Sequence, residues 1–193
     1  MIKFQAEFIP GLFSIELDPF TDERGSFARV FCEREFAAAG LPTRFEQANL
    51  STNPHRATLR GVHFQLPPHC EGKLLRAQRG AIYDVAIDLR PSSPTFGQSF
   101  GKVLDSAAGS MLYVPAGCGH AFLTLEPNTE VLYMATHSYV PGAERGIRHD
   151  DPAFTLGWPI APAVISAKDA NWPDFDATAH RRMWDSAERG GAA

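Results

Sequence analysis

The sequence predicts an all-β fold, an antiparallel sandwich or barrel with short helices at its edge and at the C-terminus. Two observations lead to this prediction. Short segments in which apolar and polar residues alternate recur along the chain, as expected for half-buried strands. Clusters of turn-forming residues, such as 90–94 and 126–128, separate these segments. A mixed α+β domain is the strongest alternative.

The alternation places the predicted strands in order along the chain. They cover residues 12–17, 45–50, 59–65, 73–78, 80–89, 111–114, 120–125 and 130–137. In the strand at 80–89, every second residue from Tyr83 to Leu89 is apolar, whereas Asp84 and Asp88 lie on the opposite face. We consider Asp84 a candidate hydrogen-bond partner of a histidine.

Two short helices complete the predicted elements. Residues 33–39 form the first, which Gly40 closes at a C-cap position. After residue 150 the composition shifts towards Pro, Asp and Ala, which predicts a tail that wraps the barrel and ends in a helix at about 180–188. We expect one domain over residues 1–193, with a barrel core at about 45–140 and the C-terminal wrap and helix at about 150–190.

Composition excludes several classes of protein. The 193 residues carry a net charge of −4 without a Lys/Arg run, which argues against a nucleic-acid-binding surface. No apolar run reaches the roughly 18 residues that a membrane span needs. The N-terminal segment carries Glu7 and lacks an apolar region, so we expect no signal peptide. Three cysteines without a CxxC pair suit a reduced, cytoplasmic setting.

Two spaced motifs are typical of cupin barrels, and one of them is nearly complete here. The motif Gly-x5-Pro-x-Gly-x2-His-x3-Asn is matched by Gly109, Pro115, Gly117 and His120, with Thr124 at the Asn position. The two motifs together span about residues 55–125. Over this region the chain resembles a cupin jelly roll.

The other cupin motif is altered at the positions that bind metal. His63 is present, but Gln65 replaces the second His, and Lys73 stands at the Glu position after a longer gap. Because a divalent cation prefers imidazoles and carboxylates and is repelled by an ammonium group, we expect no metal. A pocket with His63, Lys73 and His120 is instead cationic and carries a base. It suits removal of a proton from an anionic substrate and stabilisation of an oxyanion.

Ten segments, in order along nearly the whole chain, resemble the dTDP-4-dehydrorhamnose 3,5-epimerase family. They are DERGSF (22–27), EQANLS (46–51), LRGVHFQ (59–65), KLLRAQRGAIYDVAIDLR (73–90), SPTFG (93–97), YVPAGCGHAF (113–122), EVLY (130–133), ERGI (144–147), DDP (150–152) and SAKD (166–169). The resemblance implies a cupin-type enzyme without metal or cofactor. Its expected reaction inverts C3, C5 or both in a nucleotide-linked 4-keto-6-deoxyhexose, such as dTDP-4-keto-6-deoxyglucose, in deoxysugar biosynthesis.

The resemblance also implies roles for four catalytic residues. His63 corresponds to the base that removes the proton α to the ketone, and Asp169 to the carboxylate that orients it. Tyr133 corresponds to the acid on the opposite face of the sugar. Lys73 corresponds to the cation that stabilises the enolate oxygen.

Further residues match positions that contact the substrate in this family. Arg24 and Arg60 match contacts to the diphosphate or the sugar, and Tyr139 matches a ring that stacks on the nucleobase. The remaining matches are Phe27, Gln47, Asn49, His120, Glu144 and Lys168. Arg29 stands where family members commonly carry an acidic residue, and a reversed charge there affects the expected preference for nucleotide or sugar.

The sequence leaves other functions open. A related cupin shifts the keto group between C3 and C4 without epimerising, and Tyr133 argues against that reaction. A sugar-nucleotide-binding module without activity would not need the complete set of His63, Tyr133 and Asp169. A metal-dependent cupin dioxygenase conflicts with Gln65 and Lys73. The family forms homodimers in which N-terminal strands cross to the partner, so we expect a homodimer that binds a nucleotide-diphosphate sugar and neither nucleic acid nor membrane.

Overall fold

The computed structural model describes residues 2–190, which form two β-sheets packed face to face and a separate hairpin. The strands are β1 (Ile2–Ala6), β2 (Phe13–Leu17), β3 (Phe20–Asp22), β4 (Gly25–Phe27), β5 (Gln47–Asn53), β6 (Leu59–Gln65), β7 (Lys73–Arg79), β8 (Ala81–Asp88), β9 (Ser99–Asp105), β10 (Ser110–Val114), β11 (Cys118–Thr124), β12 (Thr129–Ala135) and β13 (Glu144–Gly146). One sheet has the order β1-β2-β10-β7-β12-β5, and the other has the order β13-β6-β11-β8-β9. Neighbouring strands within each sheet are antiparallel. The predicted all-β jelly-roll sandwich is therefore confirmed.

The core lies between the two sheets. Leu75 and Val131 of the six-stranded sheet pack against Ile82 and Phe122 of the five-stranded sheet, and all four are buried. The alternation predicted for β8 is confirmed, because its odd-numbered apolar residues face outward and pack against the C-terminal tail. Asp84 and its neighbours at even positions face inward, towards the other sheet.

The strands that the sequence did not predict lie mainly at sheet edges. β1, β9 and β13 are edge strands, each with one neighbour, and β3 and β4 form the separate hairpin. An edge strand needs less apolar surface than a central one, so its alternation is weaker. Since β1 and β2 belong to the six-stranded sheet, the sandwich extends beyond the predicted core at about 45–140.

Three helices lie outside the sheets in residues 2–190: α1 (Glu33–Ala38), α2 (Ala167–Ala170) and α3 (Ala177–Gly190). The sequence predicted α1 and α3 but not α2, which has only four residues. Phe154, Phe175 and Trp184 of the tail cover the outer face of the five-stranded sheet. None of these helices combines the length and the apolar character of a membrane span.

Candidate active site

Two adjoining cavities open between the sheets. The large cavity has a volume of about 740 Å³, and the small cavity has a volume of about 400 Å³. Asn49, His63, Lys73 and Tyr133 line both, so these four side chains mark the boundary between them. His63 projects from the five-stranded sheet, whereas Tyr133 and Lys73 project from the six-stranded sheet. A molecule held at the boundary would therefore meet an imidazole on one side and a phenol on the other.

An irregularity in β6 places Arg60 on the same side as His63. In a regular strand, residues three positions apart point to opposite faces. Here the register between β6 and β11 shifts, because His63 pairs with His120 whereas Arg60 pairs with Phe122. Gly61 makes the shift possible: its φ is +107°, and a Cβ at this position would lie 2.5 Å from the backbone oxygen of His120. The bulge therefore brings a guanidinium group into the large cavity beside the imidazole.

The imidazole of His63 is held by a carboxylate from the C-terminal tail. Nε2 of His63 lies 2.6 Å from Oδ1 of Asp169, and the backbone N–H of Gly61 donates to the other carboxylate oxygen. Ser166 caps α2 by accepting a hydrogen bond from the backbone of Asp169, which fixes the carboxylate in place. Burial opposes ionisation of Asp169, but the hydrogen bond and charge of His63, together with the hydrogen bonds of Gly61 and Ser166, outweigh it and lower the pKa of the carboxyl group. Asp169 is thus an anion that stabilises the imidazolium form of its partner.

Lys73 begins β7 and is paired with an acidic residue that sequence reasoning missed. Its Nζ lies 3.0 Å from Oε1 of Glu71, and both side chains are nearly buried. The expected cationic pocket therefore contains a carboxylate beside its lysine. The only sequence signal for this pair was the i, i+2 spacing of Glu71 and Lys73, which places two side chains on the same side of an extended segment.

Tyr133 lies on β12, and its side chain lines both cavities. Burial raises the pKa of Tyr133 above its usual value near 10, Arg60 lowers it, and the charge of Glu71 raises it further. The group is consequently a protonated phenol at neutral pH. Such a phenol can donate a proton to a carbanion or enolate, but it is a poor base.

A second histidine–carboxylate pair lies deeper in the sandwich. Nε2 of His120 is 2.9 Å from Oδ2 of Asp84, and Asp84 is fully buried. The alternation in β8 had already made Asp84 a candidate partner of a histidine. His120 and Arg60 both line the large cavity, and Arg60 is fixed by a hydrogen bond to the side chain of Asn53.

The model of the dTDP-4-dehydrorhamnose 3,5-epimerase family matches residues 7–177. The dTDP-4-dehydrorhamnose 3,5-epimerase of Sinorhizobium fredii is 40% identical over 173 residues, which is 89% of each chain. The chain belongs to this family. A crystal structure of the Bacillus anthracis dTDP-4-dehydrorhamnose 3,5-epimerase, with TDP and PPi bound, superposes with a TM-score of 0.88 at 33% identity and covers 91% of this chain and all of that one. The dTDP-4-dehydrorhamnose 3-epimerase of Streptomyces niveus is 35% identical over 162 residues, 83% of this chain and 78% of that protein.

Three residues that the family resemblance selected form a chain of contacts: Tyr139 and Glu144 line the small cavity, and Lys168 lines the large one. The hydroxyl of Tyr139 donates a 2.7 Å hydrogen bond to Oε2 of Glu144, and Nζ of Lys168 contacts the same oxygen. Burial opposes ionisation of Glu144, but the hydrogen bonds from Lys168 and Tyr139 favour the carboxylate, and the pKa of Glu144 is lowered. Gln47 accepts a hydrogen bond from the backbone of Tyr139. The ring of Tyr139 itself remains 54% exposed and available for stacking.

The structure does not bring three of the predicted substrate residues to the cavities. Arg24 and Phe27 line a separate depression on the hairpin of β3 and β4, where Arg24 is paired with Asp22. Arg29 follows the hairpin and lies 3.7 Å from a carboxylate oxygen of Glu35. In the single chain these three residues therefore lie outside the cavities that His63 lines, and their contact with substrate stays a prediction.

The metal-binding positions of the cupin motif have other functions in this family member. The amide of Gln65 donates to the backbone oxygens of His69 and Ser138 and to Glu71, so it anchors two loops. Across residues 2–190, no three His, Cys, Asp or Glu side chains are grouped closely enough to hold a metal ion. The residues at these positions do not fit a divalent cation.

Proposed function

We propose that this protein epimerises a nucleotide-linked 4-keto-6-deoxyhexose, of the type dTDP-4-keto-6-deoxyglucose, in deoxysugar biosynthesis. The observation that carries the proposal is the placement of the His63–Asp169 pair and the phenol of Tyr133 on opposite sheets around one cavity. Inversion of a carbon requires a base on one face and an acid on the other. Membership of the epimerase family supports the same reaction.

In the proposed mechanism, His63 takes the proton α to the C4 ketone. Its Nε2 is engaged by Asp169, which leaves Nδ1 to accept the proton while the carboxylate stabilises the resulting imidazolium. The electron pair moves into the enolate, whose oxygen faces the ammonium of Lys73. Tyr133 then protonates the carbon from the opposite side. The proton removed is replaced by another, so no electrons leave and no cofactor is required.

The charges around the cavities suit a substrate with an anionic end. Arg60 and Lys168 line the large cavity and provide the cations that a diphosphate needs. Asn49 and His120 offer hydrogen bonds to sugar hydroxyls, and Tyr139 offers an exposed ring to the nucleobase. The cavities therefore carry the cations, the hydrogen-bonding groups and the exposed ring that a sugar nucleotide needs.

We propose that the hairpin completes the site in a homodimer. Arg24 and Phe27 have exposed side chains in the single chain, and a second copy could place them at the cavity entrance of its partner. Arg24→Ala would then raise KM for the sugar nucleotide while the dimer, measured by light scattering, stays intact. An unchanged KM would contradict a substrate contact for Arg24.

The carbons at which hydrogen exchanges with solvent, and the product formed, distinguish three alternatives to a 3,5-epimerase. The 3-epimerase of Streptomyces niveus is a family relative, so inversion at C3 alone is the second candidate. A ketoisomerase would move the keto group to C3, and a binding module would bind the nucleotide without exchange.

The deciding experiment incubates the EDTA-treated protein with dTDP-4-keto-6-deoxyglucose in D2O and follows C3 and C5 by NMR. Deuterium at both carbons, lost in His63→Ala, is the result expected for a 3,5-epimerase. Deuterium at C3 alone restricts the activity to that carbon. No exchange in the wild type, despite binding of dTDP, would contradict the proposed function.

A further inference from the structure

Glu71 lies inside the active site, although no step of the proposed mechanism uses it. Its Oε1 is 3.0 Å from Nζ of Lys73, and its Oε2 accepts a 2.7 Å hydrogen bond from the amide of Gln65. The side chains of Glu71 and Lys73 are only 10% and 13% exposed. A nearly buried ammonium group is therefore held by a carboxylate that is itself anchored.

The anchor of Glu71 is rigid because Gln65 uses both ends of its amide. Its nitrogen also donates to the backbone oxygens of His69 and Ser138, and its oxygen accepts a 2.6 Å hydrogen bond from the backbone of Val140. Gln65 is 3% exposed. Two segments of the chain thus fix the amide, which fixes one oxygen of Glu71 and leaves the other for Lys73.

We infer that Glu71 is a positioning residue for the reaction, an inference that rests on the proposed function: it fixes the ammonium of Lys73 opposite His63, where the enolate oxygen forms. A lysine has a flexible four-carbon stem, so its charge would otherwise spread over several positions. Misplacing a catalytic group by about 1 Å can reduce a rate by roughly 10²-fold. The carboxylate acts through Lys73 and does not touch the reacting carbons.

The charge of Glu71 also affects the pKa of Tyr133, the acid of the proposed reaction. The charged or titratable side chains that line the two cavities with Tyr133 are Arg60, His63, Glu71, Lys73, His120, His137, Tyr139, Glu144, Lys168 and Asp169. After burial, the charge of Glu71 contributes to the raised pKa of Tyr133, and Arg60 opposes it. Removing the charge of Glu71 lowers the pKa of the phenol. The alkaline fall of the rate then moves to lower pH.

Two variants of Glu71 distinguish the effect of its position from the effect of its charge. Glu71→Gln keeps the size and removes the charge, whereas Glu71→Asp keeps the charge and withdraws it by one methylene. We expect both to lower kcat by roughly 10- to 100-fold, with a smaller change in KM. Only Glu71→Gln should also move the alkaline limb of the kcat profile to lower pH. The control is Asp150→Asn, which removes an exposed carboxylate that pairs with Arg148.

The outcomes distinguish this inference from the proposed function. An active wild type whose kcat and pH profile are kept in both variants would overturn the role of Glu71 and leave the epimerase function intact. A wild type that exchanges no deuterium would overturn both. Thermal unfolding checks each variant. Because Glu71→Asp retains the buried carboxylate charge and only shortens its reach, it tests positioning even where Glu71→Gln does not fold.

Discussion

Oδ1 of Asp169 lies 2.6 Å from Nε2 of His63, although 106 residues separate the two in the chain. Asp169 is only 5% exposed, whereas His63 is 31% exposed and reaches the cavity. The carboxylate therefore lies on the more buried side of the imidazole. This arrangement fixes one tautomer of the histidine and directs its other nitrogen towards the cavity.

Asp169→Asn tests this relationship, because it keeps the shape of the side chain and removes its charge. We expect kcat for deuterium exchange to fall roughly 10²- to 10⁴-fold, since the amide can neither stabilise the imidazolium nor enforce the tautomer. KM should change much less. The matched control is Asp174→Asn, an exposed carboxylate paired with Arg148. Equal activity of the two variants would show that Asp169 has only a structural role.

Tyr133→Phe separates proton removal from inversion. With the phenol gone, His63 can still remove a proton and return one to the same face, so deuterium should enter the substrate while formation of the epimer falls roughly 10²- to 10⁴-fold. In the wild type, burial first and then the charge of Glu71 raise the pKa of Tyr133, so the acid should remain active up to about pH 10. Tyr83→Phe, on the outward face of β8, is the control. Loss of exchange and inversion together would instead assign Tyr133 to proton removal.

Asp88→Asn is expected to affect stability and its pH dependence. Asp88 is fully buried and accepts hydrogen bonds from Arg90, Ser93 and Thr95. The loss should be about 2–3 kcal/mol at pH 7, less than for a fully buried pair, because Arg90 retains 23% exposure. Burial opposes ionisation, but these donors lower the pKa of Asp88 below its usual 3.8. The stabilisation is therefore present above that pH and is lost as pH falls below it.

Urea unfolding of both proteins at pH 7 and at pH 3 measures this effect. The difference in the free energy of unfolding between wild type and Asp88→Asn should shrink at the lower pH, because below its usual pKa of 3.8 the carboxyl group takes up a proton in the unfolded chain before it does so in the folded protein. A difference that is the same at both pH values would mean that packing, and not ionisation, accounts for the contribution of Asp88.

Arg29→Glu should change the selectivity for the nucleotide or sugar more than it changes the rate of proton exchange. The charge at this position is basic here, where family members commonly carry an acidic residue, and the side chain lies 3.7 Å from Glu35 and not in the cavity with His63. The ratio of kcat/KM values for dTDP- and UDP-linked substrates is the measurement. An equal loss for all substrates would contradict a role in selectivity.

Local alternation was enough to predict the strands β2, β5 to β8 and β10 to β12, of which all but β5 are central in their sheets, together with α1 and α3. Half-buried strands repeat every two residues, and this period is visible in a short segment. It also placed Asp84 on the inward face of β8, where it contacts His120. Resemblance of segments to known proteins supplied further residues of the cavities, such as Tyr133 and Asp169, but not Glu71.

Tertiary packing decided the features that have no local signal. A bulge at Gly61 places Arg60 beside His63, and this depends on the close approach of β11. The pairing of Lys73 with Glu71 depends on the anchor at Gln65, and the separation of Arg24 from the cavities depends on where the hairpin lies. A periodic pattern records which side chains are buried. Register, bulges and ion pairs are set by segments that are distant in the chain, so they follow only from the folded structure.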